Sequence, residues 1–218
     1  MIIADMIPCS LSDYPGKIVA VVFTQGCNYQ CPFCHNGSLI PGYVSNDLLI
    51  AEEHFIEFLR YRNNQLDGVV VSGGEPTIHR ELPDFLKRIK DIWYAVKLDT
   101  NGSRPKMLEK ILDSKLVDYI AMDIKAPLDK YEALSGCHLT SRGIHDLKKS
   151  ISLIAQSGID HEFRTTVVEP LLTPRDMQKI RELVPDGSRY KTQRFCPEHA
   201  LDPKLRKTSN TLLGEKIL

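Results

Sequence analysis

Residues 17–36 read KIVAVVFTQGCNYQCPFCHN, an apolar run that leads directly into a loop with three cysteines. The apolar part, 17–25, is rich in β-branched residues without polar alternation, which predicts a buried strand of a parallel sheet. In the loop, Cys27, Cys31 and Cys34 have the spacing Cys-x3-Cys-x2-Cys. Three thiols this close in sequence can converge on one small volume. Thiolates are soft ligands, so the loop suits zinc or an iron–sulfur cluster.

The number of thiols in this loop separates two kinds of metal site. A structural zinc site is closed by four protein ligands, and His35, directly after the third cysteine, would have to be the fourth. Adjacent Cys34 and His35 are an awkward pair of ligands for one ion. A cubane cluster held by three cysteines instead leaves one iron open to an exogenous ligand. The loop therefore favours a cluster, and a non-catalytic zinc-binding module remains the alternative.

Composition and charge restrict the class of protein. The chain has 218 residues with 28 basic and 28 acidic side chains, and its net charge of zero predicts no nucleic-acid or membrane partner. No apolar run is long enough to span a membrane, and the first basic residue, Lys17, lies too late for a signal peptide. Six cysteines in this length do not predict a disulfide scaffold, so we expect a reducing, cytoplasmic setting. Outside the loop, Cys9, Cys137 and Cys196 are interpreted as ordinary or buried thiols.

Strand and helix patterns alternate along the rest of the chain. After 17–25, further strands are predicted at 68–72, 94–98, 117–122, 161–168 and 189–195. Helical patterns begin near Asn46, Leu82, Pro105, Ile144 and Thr173. We therefore predict a single α/β domain over 1–218, with a core at 15–196 and a tail at 201–218 without clear pattern. Six βα units indicate a parallel sheet, but periodicity does not distinguish an open doubly wound sheet from a partial barrel.

Polar motifs follow five of the predicted strands toward their C-terminal ends. They are the cysteine loop, Gly73-Gly74-Glu75-Pro76, Asp99-Thr100-Asn101-Gly102, the pair Asp123 and Lys125, and Arg164. Each of these motifs also has a purely local interpretation. Glycines are common in turns, and the side chains of Asp, Thr and Asn often cap helices. Asp123 and Lys125 could simply form an ion pair. Ligands bind at the C-terminal edge in both parallel architectures, so the shared location favours one binding site.

The cysteine spacing and the Gly-Gly-Glu-Pro motif closely resemble those of the radical S-adenosylmethionine (SAM) enzymes. The resemblance implies a partial (β/α)6 TIM-like barrel with parallel strands, the cluster at its mouth and a lateral opening for the substrate. It implies that Cys27, Cys31 and Cys34 bind a [4Fe–4S] cluster whose open iron takes the amino and carboxylate groups of SAM. In that family an electron from the cluster cleaves SAM and releases a 5′-deoxyadenosyl radical.

The resemblance also assigns contacts to SAM itself. Gly73, Gly74 and Glu75 would line the methionyl amino end, where the glycines let the backbone approach and the carboxylate accepts N–H groups. Phe33, directly before the third cysteine, would lie along the adenine and bury apolar area.

Three further segments, LDTNG at 98–102, AMDIK at 121–125 and FRTTV at 163–167, resemble the glycyl-radical-enzyme activating proteins of this family. By position, Asp99, Thr100 and Asp123 would surround a monovalent cation, together with a backbone oxygen near Ala121. Lys125 and Arg164 would meet the SAM carboxylate or nearby charge and are counted with the catalytic cysteines. Asn101 completes the implied cofactor-binding set.

The segment SLSDYPGK at 10–17, with the cysteine loop, most resembles activating proteins of anaerobic ribonucleoside-triphosphate reductase. The implied reaction takes the Cα hydrogen from a glycine of that partner, a glycyl radical enzyme, with flavodoxin or ferredoxin as electron donor. His199 aligns only weakly with a family histidine near the ribose and is not included in the predicted site. A radical SAM enzyme acting on a small molecule, for example in deazapurine synthesis, is the alternative within the family.

Overall fold

The computed structural model describes residues 1–42, 45, 49–169 and 171–206. Its centre is one seven-stranded sheet in which the strands lie in the order of the sequence. The strands are β1 Ile3–Ser10, β2 Val19–Thr24, β3 Gly68–Gly73, β4 Ala95–Thr100, β5 Tyr119–Asp123, β6 Asp160–Val167 and β7 Arg189–Arg194. The six predicted strands are therefore confirmed as β2 to β7, with boundaries that differ by one or two residues.

Seven α-helices connect or follow the strands within the described residues. They are α1 Glu52–Tyr61, α2 Leu82–Asp91, α3 Pro105–Asp113, α4 Tyr131–Ser135, α5 Ser141–Gln156, α6 Pro174–Arg181 and α7 Pro203–Arg206. Among these described helices, none combines the length and the apolar character that crossing a membrane requires.

Strand β1 was not predicted from the sequence. It pairs antiparallel with β2, whereas β2 to β7 pair with one another in parallel. Its sequence, IADMIPCS, contains Asp5 and Pro8, and most of its side chains are at least partly exposed. Proline is tolerated on an edge strand because one side of that strand needs no ladder hydrogen bond. An apolar-run criterion finds buried strands and therefore does not detect this edge strand.

The strand order decides between the two parallel architectures. A doubly wound sheet reverses direction at a switch point, but the described order from β2 to β7 advances without reversal. Right-handed crossovers that always advance in one direction place all their helices on one face of the sheet. The twisted sheet then curls away from the helices, which gives the partial barrel and leaves a concave inner face.

The buried residues divide between the two faces of the sheet. Val69 and Val71 of β3 belong to the large apolar cluster that includes the helices, whereas Val70 belongs to a small inner cluster. Tyr14 from the β1–β2 connection packs on Tyr119 in this inner cluster, with ring centroids 5.5 Å apart. The barrel interior is thus apolar at one end and, as shown below, polar at the other.

Two helix starts differ from the prediction. Helix α1 begins at Glu52 rather than near Asn46, because Ile50 forms an antiparallel bridge with Ile3. The predicted first turn at 46–48 lies outside the described residues. Helix α5 begins at Ser141, three residues before the predicted Ile144, since the Thr140 hydroxyl caps it.

Helix α6 starts at the predicted position. Thr173 and Asp176 form a capping box there, and Asp176 also accepts a hydrogen bond from Lys130. The short helices α4 and α7 were not predicted. The last part of the predicted tail, 207–218, lies outside the described residues.

Candidate active site

A cavity of about 280 Å³ opens at the C-terminal ends of the parallel strands. It brings together all thirteen side chains or glycines that the sequence placed in the site: Cys27, Cys31, Phe33, Cys34, Gly73, Gly74, Glu75, Asp99, Thr100, Asn101, Asp123, Lys125 and Arg164. The residues come from the ends of five strands, which explains how segments far apart in sequence reach one volume. Their individual roles toward a ligand remain predictions.

Backbone hydrogen bonds hold the start of the cysteine loop. Gly26 donates to the Leu39 carbonyl at 2.7 Å, and Cys27 donates to the Ile40 carbonyl at 3.2 Å. The Gln25 amide group donates to the carbonyl oxygen of Pro41 at 2.7 Å. The segment after the third cysteine therefore folds back on the end of β2 and fixes where the loop begins.

The three thiols have the chemistry expected of cluster ligands. Cys31 is buried, and Cys27 and Cys34 are half-buried in the same cavity. Burial raises the pKa of Cys27 to about 11 and that of Cys31 to about 12, so both thiols are neutral at physiological pH without a cationic partner. A bound metal centre stabilises the thiolates. Three soft donors around one cavity thus fit a [4Fe–4S] cluster with one iron free of protein ligands.

The position of His35 disfavours a closed zinc site. Its Nε2 accepts a hydrogen bond from the backbone N–H of Cys196 at 3.3 Å, and its ring stacks on Phe195. Burial lowers the pKa of His35, which favours the neutral ring that this hydrogen bond needs. The zinc-binding interpretation therefore lacks its fourth ligand in this geometry.

The two glycines of the Gly-Gly-Glu-Pro motif let β3 pass beside the cysteine loop. Gly73 has a positive φ of 113°, which a side chain rarely adopts. A Cβ atom on Gly74 would lie 2.0 Å from the carbonyl oxygen of Gly26. Glu75 donates from its backbone N–H to this same oxygen at 2.8 Å. The glycines are thus required by the protein backbone, in addition to any ligand that they approach.

Glu75 connects the ends of β3 and β4. Its buried carboxylate accepts hydrogen bonds from the Thr77 N–H at 3.0 Å, the Thr100 hydroxyl at 2.8 Å and the Asn101 N–H at 2.6 Å. The Thr77 hydroxyl is a fourth donor. Burial raises the pKa of Glu75, and the four donors oppose this rise. Three of them bind Oε1, so Oε2 keeps capacity for another donor from the cavity.

Asp123 is shared by two cations. Arg164 donates from Nε to Oδ1 at 2.9 Å, and Lys125 donates from Nζ to Oδ2 at 3.0 Å. Burial disfavours the charge on Asp123, but the two cations outweigh it and hold the pKa of this carboxyl well below its usual range. The ion pair that the sequence suggested for Asp123 and Lys125 is therefore present, inside the cavity.

Asp99 has a partner that the sequence analysis missed. Lys97 donates from Nζ to Oδ1 at 2.5 Å, while Ser72 and Arg164 donate to Oδ2 at 3.2 and 3.4 Å. The hydroxyl of Thr100 instead points to Glu75. The oxygens predicted to surround a monovalent cation are thus already engaged by protein donors, and that cation site remains a prediction. The available signal was a lysine inside the predicted strand 94–98, YAVKL, between the apolar residues Val96 and Leu98.

Asn28 and helix α4 also support the loop and were not predicted. The side-chain oxygen Oδ1 of Asn28 accepts a hydrogen bond from the side-chain Nδ2 of Asn101 at 3.0 Å, which connects the cysteine loop to the end of β4. On the other side, Gln30 donates to the Ser135 carbonyl at 2.8 Å. Gly136 follows α4 with φ 63°, and a Cβ there would lie 2.1 Å from the Gln30 carbonyl oxygen. Neither contact has a sequence pattern, because both depend on how distant segments meet.

Comparison with known proteins agrees with this geometry. Residues 21–184 match the Radical SAM superfamily. The chain is 33% identical over 210 residues to a putative glycyl-radical enzyme activating enzyme of Methanocaldococcus jannaschii, which covers 94% of this chain and 85% of that protein. It is 30% identical over 197 residues to the pyruvate formate-lyase-activating enzyme of Clostridium pasteurianum, covering 88% of this chain and 79% of that enzyme.

Solved structures share the fold. The crystal structure of Streptococcus suis SuiB bound to S-adenosylmethionine is similar with a TM-score of 0.62 and 14% sequence identity. The similarity covers 82% of this chain and only 40% of SuiB, so this chain spans less than half of that protein. At this identity the likeness concerns the architecture of the barrel alone.

Proposed function

Because this chain belongs to the radical SAM superfamily, we propose that it is an activating enzyme that abstracts a glycine Cα hydrogen from a partner glycyl radical enzyme. Its cofactors are a [4Fe–4S] cluster and SAM, which when bound supply the reductive cleavage that forms the hydrogen-abstracting radical. The observation that carries the activating role is the similarity, over nearly the whole chain, to a putative enzyme of that kind.

The protein's own residues bind, orient and enclose the reacting groups. Cys27, Cys31 and Cys34 would hold the cluster at the mouth of the barrel. The Gly73-Gly74-Glu75 turn would face the methionyl amino group through the backbone and Glu75 Oε2. Phe33 is 4% exposed and lines the same cavity, which suits contact with an adenine ring.

The charges of the cavity support binding of a carboxylate. The network of Lys97, Lys125 and Arg164 carries three positive charges against the two negative charges of Asp99 and Asp123. Lys125 and Arg164 both line the cavity, and each keeps N–H donors that Asp99 and Asp123 do not occupy. These donors would suit the carboxylate of SAM, since charge-assisted hydrogen bonds are stronger than neutral ones.

For the partner we propose anaerobic ribonucleoside-triphosphate reductase. The support is the SLSDYPGK segment together with the sequence of the cysteine loop, as described above. Flavodoxin or ferredoxin is the proposed electron donor. An iron–sulfur enzyme with several free thiols fits the reducing cytoplasm, where we place the reaction.

The test is anaerobic reconstitution followed by incubation with SAM, a reductant and the candidate reductase. We expect about four irons per chain, SAM cleavage and the doublet of a glycyl radical in electron paramagnetic resonance. Cys31→Ala should lose the iron and the signal, whereas the matched control Cys196→Ala should keep both. SAM cleavage without a glycyl radical would reject this partner and favour a small-molecule substrate. Zinc without iron would reject the cluster.

A further inference from the structure

Lys97 is a buried cation inside the barrel. It is 2% exposed, although lysine is rarely buried without a partner. The strand register places it between Val70 of β3 and Tyr119 of β5, on the concave face of the sheet. Its Nζ lies 5.9 Å from the centroid of the Tyr119 ring, a distance that allows a cation–π contact. The aliphatic part of the side chain thus lies at the level of the apolar inner cluster, and its charge faces the polar end.

The ammonium group of Lys97 is directed at one carboxylate. Nζ lies 2.5 Å from Asp99 Oδ1, at the end of the same strand. The other oxygen of Asp99 accepts from Ser72 and, at a longer distance, from Arg164. Asp99 is only partly buried, and the protein itself provides the positive charge beside its Oδ1, two residues earlier in sequence.

The arrangement differs from the one that the sequence resemblance implied. A monovalent metal ion between Asp99, Thr100 and Asp123 would need free oxygen ligands and a negative surrounding. The structure instead shows each oxygen of the two carboxylates accepting from Lys97, Ser72, Lys125 or Arg164. A metal ion there would have to displace one of these donors, and it would lie beside the three cations Lys97, Lys125 and Arg164.

We propose that Lys97 is a built-in monovalent cation: its ammonium group takes the place beside Asp99 that a sodium or potassium ion would otherwise fill. Lys97 is then a positioning residue that holds Asp99, and through Asp99 the guanidinium of Arg164, ready for an anionic ligand. This inference goes beyond the activating role, because it concerns the charge balance of the cavity for any substrate.

The first test measures thermal unfolding of the chain without its cofactors. The wild type, Lys97→Met and the control Lys87→Met are compared in potassium chloride and in tetramethylammonium chloride at equal ionic strength. Lys87 also pairs with an aspartate, Asp91, but on an exposed helix surface. We expect the wild type and Lys87→Met to unfold at the same temperature in both salts. Lys97→Met should unfold several degrees lower in tetramethylammonium and recover in potassium, because the small ion can enter beside Asp99.

Two results would overturn the proposal. Stabilisation of the wild type by potassium would mean that a metal ion binds beside Lys97. Equal destabilisation of Lys97→Met in both salts would mean that the lysine only fills space. The double variant Lys97→Met/Asp99→Asn removes both charges and should be insensitive to the salt, which controls for packing.

A second measurement does not require any variant to fold. The affinity of the reconstituted wild type for SAM should agree within about twofold between the two salts, whereas a required metal ion would change it by tenfold or more. Potassium-dependent affinity would also refute the inference. Neither experiment involves a glycyl radical enzyme, so its outcome is independent of the proposed partner.

Discussion

Gly74→Ala tests whether the close approach of β3 to the cysteine loop builds the site. The added Cβ would lie 2.0 Å from the Gly26 carbonyl oxygen, 2.6 Å from the Gly26 carbonyl carbon and 3.1 Å from the Leu39 carbonyl oxygen. All three are backbone atoms, which cannot rotate away as a side chain could. The end of β3 and the start of the cysteine loop must therefore separate.

The cost of this separation follows from two contributions. Overpacking of a close contact costs about 1–3 kcal/mol, and loss of the Glu75 N–H to Gly26 hydrogen bond adds about 1 kcal/mol. We expect the free energy of unfolding to fall by about 2–4 kcal/mol. With a dependence of about 2 kcal/mol per molar urea, the unfolding midpoint would move down by about 1–2 M.

The assay is urea unfolding followed by circular dichroism, combined with iron content after anaerobic reconstitution. Gly42→Ala is the matched control, because a Cβ there would meet no described atom within 4 Å. The control should unfold like the wild type and bind the same iron, whereas Gly74→Ala should be less stable and bind less. If Gly74→Ala unfolds within about 0.5 kcal/mol of the wild type, the proposed steric reason for the glycine is wrong.

Three further changes test other parts of the structure. Glu75→Gln places an amide N–H group opposite at least one of four donors, so it should lower the free energy of unfolding by about 1–3 kcal/mol in urea; unchanged stability would contradict the hydrogen-bond network. Gly136→Ala should reduce iron binding through its contact with Gln30, whereas Gly187→Ala, which also has a positive φ but no described atom within 4 Å, should not; equal losses would show that backbone strain alone is responsible. Lys130 and Thr173 lower the pKa of Asp176 in the folded state, so its stabilising effect is present above the unfolded pKa of about 4 and is lost as the pH falls below it. Asp176→Asn should therefore remove part of the acid dependence of unfolding measured between neutral and acidic pH, and an identical pH profile would exclude this contribution.

Much of the fold follows from local pattern. Buried parallel strands are continuous apolar runs, so β2 to β5 are visible in the sequence as runs such as VAVVFT and GVVVSG. Helices α2 and α3 have clear apolar faces and were predicted close to their observed bounds. Strand β1 was missed because an exposed edge strand has no such run. Helix α4 is five residues long and is too short for a periodic pattern.

The candidate site was predictable for a different reason. Parallel strands present their C-terminal ends at one edge, so any polar motif directly after a strand falls near the others. The sequence by itself therefore determined which residues meet: the three cysteines, the Gly-Gly-Glu turn and the charged residues of β4, β5 and β6 line one cavity. It also determined the family of the chain, because the cysteine spacing and the family match over 21–184 are properties of the sequence and require no structure.

Only the tertiary structure decided how these groups share their hydrogen bonds and charges. Lys97 compensates Asp99, the Thr100 hydroxyl turns to Glu75, and His35 binds the backbone at Cys196. It also decided that the sheet curls into a partial barrel, since the strand order advances without reversal among the described strands. The physical reason is that sequence periodicity reports which face of its own element a side chain occupies. Partners on other elements depend on strand order and register, which are set by packing of the whole chain.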